Sequence, residues 1–201
     1  RVSLAAILLL AIALWTGHRL PGFGTPTEKR IWLHCFGMGL FTNALPFSLL
    51  AWGQQQVTSS FAGVCMAVVP LLVLPLSHFL VPGERMTRAK VAGFAVGFAG
   101  VFLLVGGDSL LGDGGTEPSL FLAQIACVGA SCCYAIGSIV TRLCPPIPTQ
   151  SFAATGLLLG AAMLIPTALL FEGLPQTASL PAVAGVIYLA LFPTAAATIL
   201  L

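Results

Sequence analysis

Residues 31–83 of this chain contain no Lys, Arg, Asp or Glu. A soluble domain does not carry such a stretch, because about a quarter of its residues are charged and solvate its surface. Over the whole chain only 7% of residues are charged, 58% are hydrophobic, and the mean hydropathy is +1.02. Eight basic and six acidic side chains cannot cover a 20.8 kDa globule. An ordinary soluble enzyme and a disordered chain are thereby excluded. A net charge of +2 supplies no basic face for nucleic acid. What remains is an all-α integral membrane protein, a polytopic helix bundle.

A helix needs roughly 20 residues to cross the hydrocarbon. The uncharged stretch 31–83 is too long for one span and right for two. Trp52, Gly53 and the polar run Gln54, Gln55, Gln56 mark the hairpin, an interfacial aromatic followed by residues too polar for lipid. The other uncharged stretches, 91–107, 118–141, 143–171 and 173–201, each fit one helix. With the N-terminal run, the predicted spans are 2–17, 31–51, 57–81, 89–107, 119–141, 151–171 and 181–201. Transmembrane strands would alternate polar with apolar residues, and these runs do not. The first run also resembles a signal peptide, but no small-x-small cleavage site follows it, which favours a span. The chain opens on Arg1 and stops inside an apolar run at Leu201, so it is expected to be a piece of something longer.

Basic residues fall in alternate loops. Arg19, Lys29 and Arg30 lie in 18–30, Arg85, Arg88 and Lys90 in 82–90, and Arg142 opens 142–150. The intervening loops 52–56, 108–118 and 172–180 contain neither Lys nor Arg, and the last two carry Asp108, Asp113, Glu117 and Glu172. By the positive-inside rule the basic loops are cytoplasmic and residue 1 is outside.

Catalytic and metal chemistry are poorly provided for. Cys35, Cys65, Cys127, Cys132 and Cys133 lie within spans and Cys144 in a cytoplasmic loop, with no C-x-x-C pair to close a zinc site. They read as small apolar packers. His18, His34 and His78 fall near cytoplasmic span ends, where the ring reaches water. There is no H-E-x-x-H, no G-x-S-x-G, and no Asp or Glu inside any span. Neither an enzyme nor a cofactor or metal site is expected.

Pro46, Pro70, Pro75, Pro166 and Pro193 sit inside predicted spans. Each removes a backbone donor, which lipid tolerates only where protein or a cavity satisfies the freed carbonyl. Pro75 and Pro166 read as packing kinks. Pro46 and Pro193 have polar company in Asn43 and Thr194, and Pro70 lies near mid-span, so these three are candidate breaks near a site. Gly93, Gly97 and Gly100 share a face suited to helix packing, and Gly156 and Gly160 form a weaker second case.

Two segments, LFTNALPFSLL from Leu40 and LFPTAAATILL from Leu191, are identical at five of eleven positions. They lie in the second and seventh spans. An odd separation of five spans reverses direction across the membrane. Leu8-Leu9-Leu10 and Leu157-Leu158-Leu159 stand in the first and sixth spans. The pattern suggests two inverted five-helix repeats, a construction used by secondary transporters, in which broken helices mark the substrate site.

These residues also resemble a known family. Asn43 to Gly107 is similar to the first half of an EamA-type member of the drug/metabolite transporter superfamily. The resemblance rests on Trp52-Gly53-Gln54-Gln55 closing a span, Pro70-Leu71, the loop Gly83-Glu84-Arg85-Met86-Thr87, and the glycine-spaced helix after Lys90. CCYAIGSIVTR, from Cys132 to Arg142, resembles the opening helix of the second half. The resemblance implies ten helices in two inverted halves with both ends cytoplasmic, and this chain would then run from the second helix to the eighth. Residues 1–107 would be a first repeat without its first helix, 108–118 an external linker, and 119–201 a second repeat without its last two helices. The ninth helix, which should repeat the Pro70 span and its Gly-Glu loop, is absent. The implied function is alternating-access transport of metabolites or amino acids, commonly export, across a bacterial inner membrane.

A carrier's site is expected near the midplane, with polar groups turned inward. The candidates are Asn43, Gln54, Gln55, Ser131, Tyr134 and Thr194, with Trp52 as a wall or outer gate. Gln54 and Gln55 could equally be interfacial loop residues, and Tyr134 a core residue. Glu84 and Arg85 are candidates for a cytoplasmic gate, although Glu84 could simply cap the next helix or pair with Arg85 or Arg88. Arg142 is expected at lipid headgroups. The expected partners are a small-molecule substrate and membrane lipid, with a homodimer compatible and no nucleic acid. No carboxylate lies in a span for proton coupling, so the coupling group is either on a missing helix or transport is facilitated or exchange-driven, the latter being the expectation. The rival is a non-transporting membrane scaffold or receptor.

Overall fold

The computed structural model describes residues 2–15, 17, 20–111, 118–171, 184, 185 and 188, with the backbone alone over 101–111 and at 171. Every regular element of more than a turn among them is helical: α1 (Val2–Trp15), α2 (Pro26–Met38), a π-helical turn (Gly39–Ala44), α3 (Leu45–Gly53), α4 (Ser59–Ala67), α5 (Val69–Leu80), α6 (Arg88–Leu111), α7 (Pro118–Arg142) and α8 (Thr149–Phe171). Pro26–Gly53, Ser59–Leu80, Pro118–Arg142 and Thr149–Leu170 are each long and apolar enough to cross a membrane. At 1.5 Å per residue, the 14 residues of α1 reach only about 21 Å, short of the hydrocarbon thickness. The seventh predicted span, with Pro193 and Thr194, falls outside the described residues.

Local chemistry sets the helix ends. α2 begins before the predicted Ile31 because Thr25 and Glu28 form a capping box: Glu28 Oε2 accepts from the Thr25 N–H at 2.8 Å and Thr25 Oγ1 from the Glu28 N–H at 3.2 Å. Pro26 supplies the first helical residue. The preceding loop is held by Trp32, whose Nε1 donates to Gly22 O at 3.0 Å and whose ring stacks on Phe23 at 4.7 Å. Thr58 caps α4 by accepting from the Phe61 N–H at 3.3 Å.

The chain divides into two compact units, residues 1–44 with 143–201, and residues 45–142. In the first, α1 packs on α8 through one buried cluster of Ala5, Ala6 and Leu9 with Ala153, Ala154 and Leu157. The same Ala-Ala-x-x-Leu pattern occurs on both helices. A second cluster joins Ile31 and Cys35 of α2 to Phe152. In the second unit α7 is the central helix, packed by α3, α4 and α5, with Cys65, Ala123 and Cys127 at its core. Large apolar side chains such as Ile7, Leu33, Phe98 and Phe121 point outward. Water would penalise this arrangement and lipid does not.

Candidate functional site

Pro46, the second residue of α3, has no N–H and cannot hold the rung to Thr42. The helix answers by widening into the π turn Gly39–Ala44 just before it, a feature frequent at functional sites. The break expected at Pro46 is thus a π turn preceding a fully buried proline. Asn43 lies on this turn and is only 5% exposed. Its Nδ2 donates to Thr42 Oγ1 at 3.0 Å, and Thr42 Oγ1 donates to Met38 O at 2.5 Å. A short polar relay therefore sits at the break.

The π turn approaches α8 very closely. A Cβ on Gly39 would stand 2.8 Å from Gly156 O and 2.9 Å from Gly160 N, and a Cβ on Gly160 would stand 2.8 Å from Asn43 Cβ. Only glycine permits this contact. The other glycine face, on α6, makes fewer contacts among the described residues. Gly93 and Gly100 are exposed, and a Cβ added to either would meet no described atom within 4 Å. Of that face only Gly97 meets a neighbour, the Leu71 side chain. The face carrying Gly156 and Gly160 makes the close packing, with Gly39 as the partner that sequence reasoning missed.

In the second unit the helix holding Pro70 is also broken. Without a proline N–H the rung to Met66 is lost, α4 ends at Ala67, and the Val68 N–H turns back to Cys65 O at 3.1 Å. Ser131 of α7 donates to the same Cys65 carbonyl at 2.7 Å and is fully buried. Its hydroxyl holds a broken helix in place, a role its sequence position does not reveal. Tyr134 is half-buried, its ring edge-on to Phe47 at 6.4 Å. Trp52 is 48% exposed at the end of α3, and Gln54 and Gln55 lie exposed in the following turn. The glycine between them has a packing reason, since a Cβ on Gly53 would meet Cys127 Sγ at 2.9 Å and Ala123 O at 3.0 Å. Asn43 therefore belongs to one unit and Trp52, Gln54, Gln55, Ser131 and Tyr134 to the other.

The loop after α5 corrects a further expectation. Glu84 neither caps α6 nor pairs with Arg85 or Arg88; it forms an ion pair with Arg142 at the end of α7. Arg142 is correspondingly engaged by Glu84, not left for headgroups alone. The capping falls to Thr87, whose Oγ1 accepts from the Lys90 N–H at 3.4 Å. His78 Nδ1 accepts from the Met86 N–H at 3.3 Å and fastens the loop. Glu84, Arg85, Lys90 and Arg142 rim an open cleft of about 740 Å³ whose inner wall is α5. Among the described residues no group of three or more His, Cys, Asp or Glu could hold a metal ion. Cys35, Cys65 and Cys127 are buried packers as expected, whereas Cys132 is exposed.

Apolar spans, breaks at proline and glycine-mediated helix contacts define a multi-pass helical membrane protein. Residues 1–106 match EamA, the EamA-like transporter family, and the chain belongs to that family, within the drug/metabolite transporters of cell inner membranes. It is 30% identical over 194 residues to the uncharacterized inner membrane transporter YedA of Escherichia coli K12, covering 96% of this chain and 58% of that protein. It is 32% identical over 124 residues to the aromatic amino acid exporter YddG of Ancylobacter novellus, covering 61% and 40% respectively. The uncharacterized transporter YoaV of Bacillus subtilis is 26% identical over 129 residues, with coverages of 64% and 42%. The chain thus spans somewhat more than half the length of YedA. A solved crystal structure superposes with a TM-score of 0.72 at 24% identity over 98% of this chain and 64% of that one, a likeness of fold alone.

Proposed function

We propose that this chain is part of a secondary-active carrier that exports small metabolites or amino acids across the inner membrane by alternating access, without chemical conversion of its cargo. The observation that carries this reading is the π turn at Pro46, which keeps Asn43 and Thr42 polar at a helix break packed on Gly160. A buried amide beside a broken helix is costly in lipid and is the place where carriers bind substrate. Export of an amino acid is favoured by the likeness to YddG, an aromatic amino acid exporter. The inverted-repeat reading, with residues 1–107 and 119–201 as the two repeats, is supported by the cluster of Ala5, Ala6 and Leu9 with Ala153, Ala154 and Leu157. Helices related by a two-fold axis present the same patch to each other, as these two do. Coupling by exchange or facilitated flux fits the lack of an Asp or Glu within the predicted spans.

The test is flux in cells or proteoliposomes of the full-length protein bearing Asn43→Leu or Asn43→Ser. Transport lost at unchanged expression supports a carrier site at Asn43, and unchanged flux in both variants removes it. A scaffold would be indifferent to both. Uptake that collapses with a protonophore would overturn the exchange reading.

A further inference from the structure

Pro70, Val73, Leu74 and Ser77 follow the i, i+3, i+4, i+7 spacing of one helix side, and this side of α5 walls the cleft of about 740 Å³. The wall runs roughly 10 Å along the helix axis. Its one polar member is already satisfied, since Ser77 Oγ donates to Leu74 O at 3.0 Å, so the trough behaves as apolar. At its mouth the charges are not balanced. Glu84 and Arg142 are spent on each other, whereas Arg85 and Lys90 are exposed and make no ion pair among the described residues.

Two uncompensated cations at the end of an apolar trough match an amphiphile with an anionic head. The mouth lies on the side that the loop charges assign to the cytoplasm, where acidic phospholipids give the membrane its negative surface. We propose that this cleft binds an acidic phospholipid of the inner leaflet, its phosphate between Arg85 and Lys90 and one acyl chain along the α5 wall. The Arg85 guanidinium offers a donor fork that suits phosphate oxygens. Inorganic phosphate would satisfy the mouth but leave the apolar wall uncovered, so the lipid is the better occupant. The residues that line the cleft all belong to the second unit, whereas Asn43 belongs to the first.

The experiment uses the full-length protein, delipidated in neutral detergent and titrated by native mass spectrometry. The probes are dioleoylphosphatidylglycerol and dioleoylphosphatidylcholine, with inorganic phosphate as a competitor. Phosphatidylglycerol should bind in preference to phosphatidylcholine and resist displacement by phosphate. The R85Q/K90Q double variant should bind it about twenty-five-fold more weakly, at roughly fivefold for each cation. Val73→Trp, which fills the trough without changing charge, should also weaken it, whereas Glu84→Gln, which frees Arg142, should not. Equal binding of the two lipids, or wild-type binding by the double variant, overturns the proposal and indicates that other segments of the protein cover the cleft. Displacement of the lipid by inorganic phosphate overturns it in favour of a solvent-anion site.

Discussion

Gly39→Ala should destabilise the first unit, and the distances say by how much. The added methyl would stand 2.8 Å from Gly156 O and 2.9 Å from Gly160 N. Carbon makes its best contacts at about 3.5 Å or more, so the π turn and α8 must part by roughly half an ångström. Both neighbours are backbone atoms, so no rotamer change relieves the clash. Overpacking of this kind costs about 1–3 kcal/mol. Alanine regains up to about 1 kcal/mol of helix propensity over glycine, so the net loss alone is ambiguous. Gly93→Ala provides the reference, because it gains the same propensity at a position with open space around it. The difference between the two variants isolates the contact, and it should be about 1–3 kcal/mol. Gly156→Ala should fall between them, because its methyl meets the flexible end of the Met38 side chain and not a backbone. Reversible unfolding of the full-length protein in mixed detergent micelles measures all three. The reasoning fails if Gly39→Ala is as stable as Gly93→Ala, or if Gly93→Ala is the variant that loses stability.

Three further outcomes are expected. Ser131→Ala removes the hydroxyl from the Cys65 carbonyl at the α4–α5 break and should cost about 0.5–1.5 kcal/mol in the same unfolding assay, while Ser131→Thr should retain part of it. The Glu84–Arg142 pair has side chains 38% and 45% exposed, so a double-mutant cycle with Glu84→Gln and Arg142→Gln should give a coupling below about 1 kcal/mol that shrinks as salt rises. Burial pushes the Cys144 thiol above its ordinary value of 9.0. Only the thiolate attacks a maleimide, so labelling at Cys144, read by peptide mapping, should be slow at neutral pH and rise with a midpoint above that of a solvent-exposed cysteine in a short peptide. A midpoint below that of the peptide would contradict the burial of this loop cysteine.

The charge pattern was enough to place six helices. Each span must be apolar along its own length to cross lipid, and the charged residues that end it are neighbours in the chain, so class and helix position are local properties. Capping chemistry at Thr25 is equally local, and it moves the start of α2 from the charge boundary to Pro26. Pro46 and Pro70 announced their breaks because a missing N–H is a property of one residue. Tertiary structure alone decided what each break and each small residue meets. In water, a hydrophobic stripe tells which face of a helix is buried, but lipid tails are as apolar as leucine and erase that signal. Gly156 and Gly160 therefore looked the weaker packing face in the sequence, and only the approach of the π turn to α8 showed the contact they make. The Glu84–Arg142 pair and the Ser131 clamp on Cys65 were hidden for the same reason: their partners lie on other helices, 58 and 66 residues apart in the chain.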